Sequence, residues 1–422
     1  MDKALPTDPA RAAGAGAGAA RQLAALALDS GIRPLRLSGK SLLPVVQGGM
    51  GVAVSAGGLA GAVAGLGGVG TISSVDLRRL HPDLMARTGH LCKEPDAKAL
   101  IDAANLDALG REIRRARTLA GGRGLLAVNI MKAVGEYAAY VRRALQCGVD
   151  AVVVGAGLPL DLPDLAREFP AAALIPILSD ARGIQLLVRK WEKKGRLPDA
   201  IVIEHPGLAG GHLGAARLAD LHDRRFDFDV VLPQALEFLR SAGIAREIPL
   251  IAAGGVGSRA DILRLQALGA AAVQLGTAFA VTLECDADPA FKRVLANAGP
   301  QDIVEFVSVA GLPARAVRTP WLSAYLRLEP RYKATAHARP CTMGFDCLTH
   351  CGLRDGDAAI GQFCIDERLG LAMAGDTHKG LFFRGAGALP FGDQIRSAQE
   401  LMQFLVGGIR PTIAPPHILS TA

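Results

Sequence analysis

One recurrence constrains this chain more than any other feature. Eight short runs of Val, Ile, Leu and Ala follow one another, and each is succeeded by a segment with helical periodicity. The runs are LLPVVQ (42–47), VGTISS (69–74), LLAVNIM (125–131), AVVVGAG (151–157), ALIPILSD (173–180), AIVIEH (200–205), PLIAAGG (249–255) and AAVQLGT (271–277). They are continuously apolar rather than alternating, as expected of strands covered on both faces. Eight strand-then-helix units in this span predict a (β/α)8 TIM barrel. A doubly wound open sheet also alternates strand and helix, but the count of eight favours the barrel.

The intervening segments carry helix signals. Residues 107–121 are amphipathic, and segments 137–148, 232–243 and 258–269 each end in Gly. Ser258 and Asp261 offer a capping box. Two regions fall outside the repeat. Residues 76–97 form a long insertion after the second strand, and such insertions often act as lids. From about residue 300 onward no strand–helix alternation is evident. The predicted organisation is a flexible Ala/Gly-rich N-terminus (1–35), a barrel (36–300) and a C-terminal extension (301–422).

Composition narrows the function. Aromatic residues make up 5% of the chain, too few for platforms that stack nucleic-acid bases. The net charge is +7, but Arg and Lys are interspersed with Asp and Glu, so a small phosphorylated ligand explains the bias without nucleic acid. No apolar run reaches membrane-spanning length, and the N-terminus lacks the apolar centre of a signal peptide. Seven cysteines, an odd number in a long chain, do not suggest a disulfide framework. These features predict a cytoplasmic protein. Nothing in them predicts the oligomeric state.

Active sites of such barrels lie at the C-terminal strand ends. The residues at the end of each run therefore provide a test. Gln47 to Gly51 (QGGMG) close the first run, Asn129 lies at the end of the third with Lys132 just beyond, and Ser179 and Asp180 end the fifth. EHPGLAGGHLG (204–214), with Gly211 and His212, comes after the sixth. GGVGSR, beginning at Gly254 and Gly255, closes the seventh, and Gly276 and Thr277 close the eighth. Loops seven and eight commonly hold a phosphate in these barrels, and bare glycine amides leading into a helix start suit one. Glycine loops such as QGGMG let a flat ring approach the backbone. Asn129 can donate and accept at such a ring, and Lys132 can place positive charge beside it. A phosphate at one end and glycine-lined faces across the mouth point to FMN ahead of a sugar phosphate.

PVVQGGMG, the Asn129 strand end, AGGHLG, IAAGGV and VQLGTAF occur in that order, and the set resembles the nitronate monooxygenase family, formerly 2-nitropropane dioxygenases. The resemblance implies an FMN-dependent barrel with His212 as the active-site histidine. It implies that Gly48, Gly49 and Met50 lie along the flavin, that Asn129 contacts its ring, and that Gly254, Gly255, Gly276 and Thr277 bind its phosphate. It implies a small-molecule nitronate substrate oxidised with O2. Enoyl-acyl carrier protein reductases of the same superfamily share the barrel and the GGH loop. The alternatives are thus an NAD(P)H-dependent flavin reductase of an enoyl thioester, or a flavin-binding module without catalysis. Leu208 departs from the family pattern, in which an acidic residue often precedes AGGH. A histidine near its ordinary pKa could deprotonate a nitroalkane or pair with the nitronate. His205, beside Pro206, reads as structural.

Cys341, Cys347, Cys351 and Cys364 lie within twenty-four residues, spaced C-x5-C-x3-C-x12-C. The spacing does not match the paired pattern of zinc sites. It leaves two readings open: buried packing thiols, or ligands of a metal or [4Fe–4S] cluster that would favour a reductase.

Overall fold

The computed structural model describes residues 9–411 apart from 93, 95 and 246. All eight apolar runs are strands: β1 (Val45–Gln47), β2 (Val69–Ser73), β3 (Leu125–Met131), β4 (Ala151–Gly155), β5 (Ala173–Leu178), β6 (Ile201–Glu204), β7 (Leu250–Ala253) and β8 (Ala272–Leu275). Each pairs in parallel with its neighbours, and β8 pairs with β1, so the sheet closes. This is the predicted (β/α)8 barrel.

Double coverage explains the unbroken apolar runs. Leu125 and Ala127 of β3, Ala151 and Val153 of β4, and Ala173 and Ile175 of β5 point inward to fill the barrel. The alternate residues, such as Leu126, Val128, Val152 and Leu174, face the helices. Many interior positions are alanine, and the lower end is sealed by a hairpin (Leu35–Leu37 with Lys40–Leu42). Its Leu35, Leu37 and Leu42 join the interior cluster. Ser38 and Gly39 both take positive φ, which a two-residue hairpin turn requires.

The structure differs from these expectations in places. The Ala/Gly-rich lead is not a flexible tail over its described part: Pro9–Asp29 is a helix, because alanine-rich sequence is strongly helix-forming and Leu23 and Ala27 bury against the core. Residues 1–8 lie outside the described residues. Helix Phe228–Ser241 starts before Leu232, with Pro233 inside it. The insertion supplies a 3-10 turn (Leu77–Leu80) and helix Pro82–Thr88, and none of its described residues lines the cavity at the strand ends. Its buried Asp76 pairs with Arg78 and Arg79, and Arg79 reaches Asp366 at 2.7 Å, fastening the segment to the C-terminal region.

The C-terminal region engages the barrel at two places. Strands β9 (Ile303–Val307) and β10 (Pro313–Val317) form a hairpin, and β10 recruits Gly211–His212 from the sixth loop as a third antiparallel strand. After this excursion the chain returns to the barrel. Helix Ala398–Gly407 packs against helices Gly57–Gly65, Arg259–Ala267 and Pro9–Asp29, taking the place in the outer layer that a helix directly after β8 would fill.

Candidate functional site

A cavity of about 610 Å3 opens at the C-terminal ends of the strands. Its wall includes Gly48, Gly49, Met50, Asn129, Ser179, Gly211, His212, Gly254, Gly255, Gly276 and Thr277. Residues singled out at six separate strand ends therefore meet in one space. Lys132 is the exception and does not line it. Its ammonium pairs with Asp161 at 2.7 Å and sits 4.0 Å from the centre of the Tyr137 ring, so its charge is already satisfied away from the cavity. His205 is also outside the wall: its Nδ1 accepts from the Gly207 amide and its Nε2 lies 3.3 Å from Asp227.

The glycines at the strand ends answer to specific neighbours. A Cβ on Gly49 would come 2.3 Å from the Asn129 Cβ, so the β1 and β3 ends can approach only with glycine there. Gly255 has φ +70°, and a Cβ on it would come 2.7 Å from Leu208. Leu208 thus packs beneath the seventh loop. Thr277 Oγ1 accepts from the Gly385 amide at 3.0 Å and keeps its own proton available for donation. The helix start beyond loop seven is less free. Asp261 accepts from the Gly257 amide and from Ser258 Oγ, so the helix Arg259–Ala267 caps itself, as the Ser258–Asp261 pattern predicts.

His212 is positioned from the far side of the chain. The β10 ladder fixes its backbone opposite Ala314, and the Leu213 amide donates to Pro313 O at 2.8 Å. Arg315, 1% exposed, forks beneath the loop: it donates to Pro206 O at 3.0 Å and to Ala209 O, and it pairs with Glu305 at 2.5 Å. The ring Nε2 lies 2.9 Å from Ser308 Oγ, which also accepts from the Ala310 amide at 3.2 Å. The buried Ser308 hydroxyl then has Nε2 as its acceptor, so the neutral ring carries its proton on Nδ1. Burial pushes the His212 pKa down to about 4, so the ring is neutral at ordinary pH. This corrects the expectation of a histidine near its usual pKa.

Three carboxylates also line the cavity: Asp180, Glu204 and Asp366. Asp180 caps helix Ala181–Glu192 through the Gly183 amide. Glu204, at the end of β6, has its carboxyl raised to about 7 by burial, against the opposing pull of Arg315. Ser73, Gln274 and Arg384 add polar groups, and the C-terminal region contributes an apolar part of the wall through Leu312, Leu348, Ile365, Leu381 and Phe383. Sequence reading overlooked Glu204, although it ends an apolar strand just as Asn129 does. Ser308 and Arg315 carry no local signal, since only the β10 pairing brings them to the site.

The four clustered cysteines do not form a ligand set for a metal ion. Among the described residues no three His, Cys, Asp or Glu side chains are arranged to hold one. Cys347 and Cys351 pack against the apolar cluster of the C-terminal region. Burial raises the Cys347 and Cys351 thiols, and that of Cys364 to about 11, so all three stay protonated. Cys347 and Cys351 thus have packing roles.

Residues 36–408 match the family model described as nitronate monooxygenase. A nitronate monooxygenase of Paraburkholderia phytofirmans is 31% identical over 173 residues, 38% of this chain and 43% of that protein. The chain aligns with less than half the length of the curated relatives it matches. Among solved structures, FabK from Thermotoga maritima has a TM-score of 0.58 at 23% identity, covering 86% of this chain and 91% of that one. The nitroalkane oxidase from Streptomyces ansochromogenes has a TM-score of 0.57 at 22% identity, covering 86% and 94%. At these identities the structural likeness speaks to the fold. Among the described residues no helix is long and apolar enough to cross a membrane.

Proposed function

The chain belongs to the nitronate monooxygenase family, and from that premise we propose that it is an FMN-dependent oxidoreductase that oxidises a nitronate, or a similarly stabilised carbanion, with O2. The observation that carries this reading is the single cavity in which glycine loops from β1, β7 and β8 face His212.

The residues present suit FMN. Gly254 and Gly255 hold positive φ and expose backbone amides where a phosphate would sit, and Thr277 retains a hydroxyl donor beside them. Gly48 and Gly49 leave part of one face of the mouth without a side chain, Met50 packs beside them, and Asn129 offers its amide there. When bound, FMN supplies the two-electron acceptor that links carbanion oxidation to O2. The protein binds and orients. His212, neutral and with its proton on Nδ1, donates to an anionic nitro oxygen. The apolar wall excludes water, which strengthens that hydrogen bond. An anion so placed stabilises the protonated ring as well, so His212 can pair with the nitronate despite its low pKa.

The test is anaerobic mixing of the yellow holoenzyme with a nitronate. Bleaching of the flavin without NAD(P)H is expected. Reduction by NAD(P)H alone would instead support a reductase of an enoyl thioester. Reduction by neither donor would leave a flavin-binding module.

A further inference from the structure

We propose that the C-terminal turn 384–388 forms part of the cofactor's phosphate site, with the Arg384 guanidinium as its fixed positive charge. The proposal rests on the FMN reading and extends that site beyond the eight barrel loops.

The need for a cation comes first. A phosphate monoester carries about −1.5 to −2 charges near pH 7. Taken out of water, such an anion requires a compensating charge as well as hydrogen bonds. Loops seven and eight offer glycine amides and the Thr277 hydroxyl, none of them charged. Arg259, the basic residue of GGVGSR, is engaged elsewhere, with its Nη2 donating to Ser30 O at 2.8 Å. Lys132 is held by Asp161. Among the described residues that line the cavity, Arg384 is the one arginine or lysine.

A single turn brings Arg384 against the three loops concerned. The Gly385 amide donates to Thr277 Oγ1 in loop eight at 3.0 Å, and the Ala386 amide donates to Leu208 O in loop six at 3.1 Å. A Cβ on Gly387 would lie 3.6 Å from Gly255 Cα in loop seven. At Gly210 a Cβ would come 2.4 Å from the Arg384 carbonyl carbon and from the Gly385 nitrogen, so loop six admits the turn because it has glycine there. Gly385, Gly387 and Ala388 line the cavity beside Arg384.

Arg384 itself is 5% exposed. Its Nε donates to Leu295 O at 3.0 Å, near the end of helix Pro289–Asn297. Its Nη1 donates to Gly385 O at 2.9 Å and to Gly387 O at 3.3 Å. Among the described residues Nη2 has no hydrogen-bond partner, and no carboxylate comes within ion-pair distance. Asp302 attracts the guanidinium from farther away, yet burial pulls its pKa below the usual arginine value. The protein therefore under-compensates this charge. A buried cation is costly without an anion, and arginine's planar fork matches phosphate oxygens.

The same hydrogen bonds also brace the turn, so a purely structural arginine is the rival reading. The two differ in their effect on a flavin that lacks the phosphate. Full-length protein freed of flavin, with its Arg384→Gln and Arg384→Lys variants, is titrated with FMN and with riboflavin. Binding is read by quenching of flavin fluorescence, and circular dichroism checks each fold. Arg384→Gln should weaken FMN binding about ten- to a hundredfold, the range of a hydrogen bond to a charged group. Riboflavin affinity should be unchanged. Arg384→Lys keeps the charge but loses the fork, and its FMN affinity should fall between those of wild type and Arg384→Gln. Phosphorus NMR of FMN-loaded protein gives a second readout. A phosphate beside a fixed cation stays dianionic, so the wild-type signal should hold still from about pH 5 to 8, whereas that of Arg384→Gln should titrate. Equal weakening of FMN and riboflavin would make Arg384 a brace alone and overturn the proposal. Unchanged FMN affinity in Arg384→Gln, or a wild-type phosphate that titrates like free FMN, would overturn it too. If Arg384→Gln does not fold, Arg384→Lys decides by the same comparison: weaker FMN with unaltered riboflavin supports the proposal, and unaltered FMN sinks it. Wild type that binds neither flavin would defeat the cofactor reading and this proposal with it, whereas tight FMN in wild type with an unselective variant defeats this proposal alone.

Discussion

Arg315 should hold the histidine loop in place, and replacing it with methionine isolates that role. The side chain is buried, so Met fills similar space without a charge. Two loop carbonyls, Pro206 O and Ala209 O, lose their donor, and each stranded buried group costs about 1–3 kcal/mol. Glu305 loses its partner too, but its side chain is 32% exposed, so water re-solvates it and the pair contributes at most about 1 kcal/mol. Removing a buried guanidinium returns some desolvation energy. The net loss is about 2–4 kcal/mol. It falls on a loop held to β10 by a short ladder, not on the closed barrel, so it should appear as local opening. At tenfold per 1.4 kcal/mol, exchange of the Leu213 amide should speed up about 30- to 700-fold. Hydrogen exchange read by mass spectrometry or NMR tests this, with Val202 in β6 as an internal reference. Unchanged Leu213 protection in a folded variant would refute the reasoning, because the loop would then be held without the arginine fork.

Gly255→Val forces a branched side chain into positive φ and against Leu208, so FMN retention after gel filtration should fall about tenfold or more while the barrel stays folded; full retention would remove loop seven from the cofactor site. His212 is held down to about 4 in the fold against 6.5 in the unfolded chain, so the unfolded state takes up a proton between those values and stability falls as pH drops from 6.5 through about 4. Urea midpoints of His212→Asn should lack that component, and identical pH slopes for the two proteins would contradict the buried, neutral ring.

Much of the barrel was legible because its strands answer to a local rule. A run covered on both faces must be apolar throughout, and every predicted run lies on a strand, as 125–131 does on Leu125–Met131. Strand-end residues were legible for a related reason: in a closed parallel barrel all strand ends share one mouth, so Asn129, Gly254 and Thr277 could be grouped without knowing a distance. What escaped depends on pairing between distant segments. Ser308 reaches His212, and Arg315 its loop, only because β10 pairs with the sixth loop, and periodicity within 303–317 says nothing of that partner. Lys132 misled because its position in sequence fits the mouth, while Asp161 draws its side chain elsewhere.

The return of helix Ala398–Gly407 to the barrel wall has a consequence for synthesis. The groove between helices Gly57–Gly65 and Arg259–Ala267 stays uncovered until residues 398–407 have left the ribosome. At about 5–20 residues per second, translating residues 281–397 takes on the order of ten seconds. Throughout that interval a nascent chain with all eight strands leaves Val63 and its apolar neighbours uncovered, the kind of exposed apolar surface that makes a folding intermediate prone to aggregate.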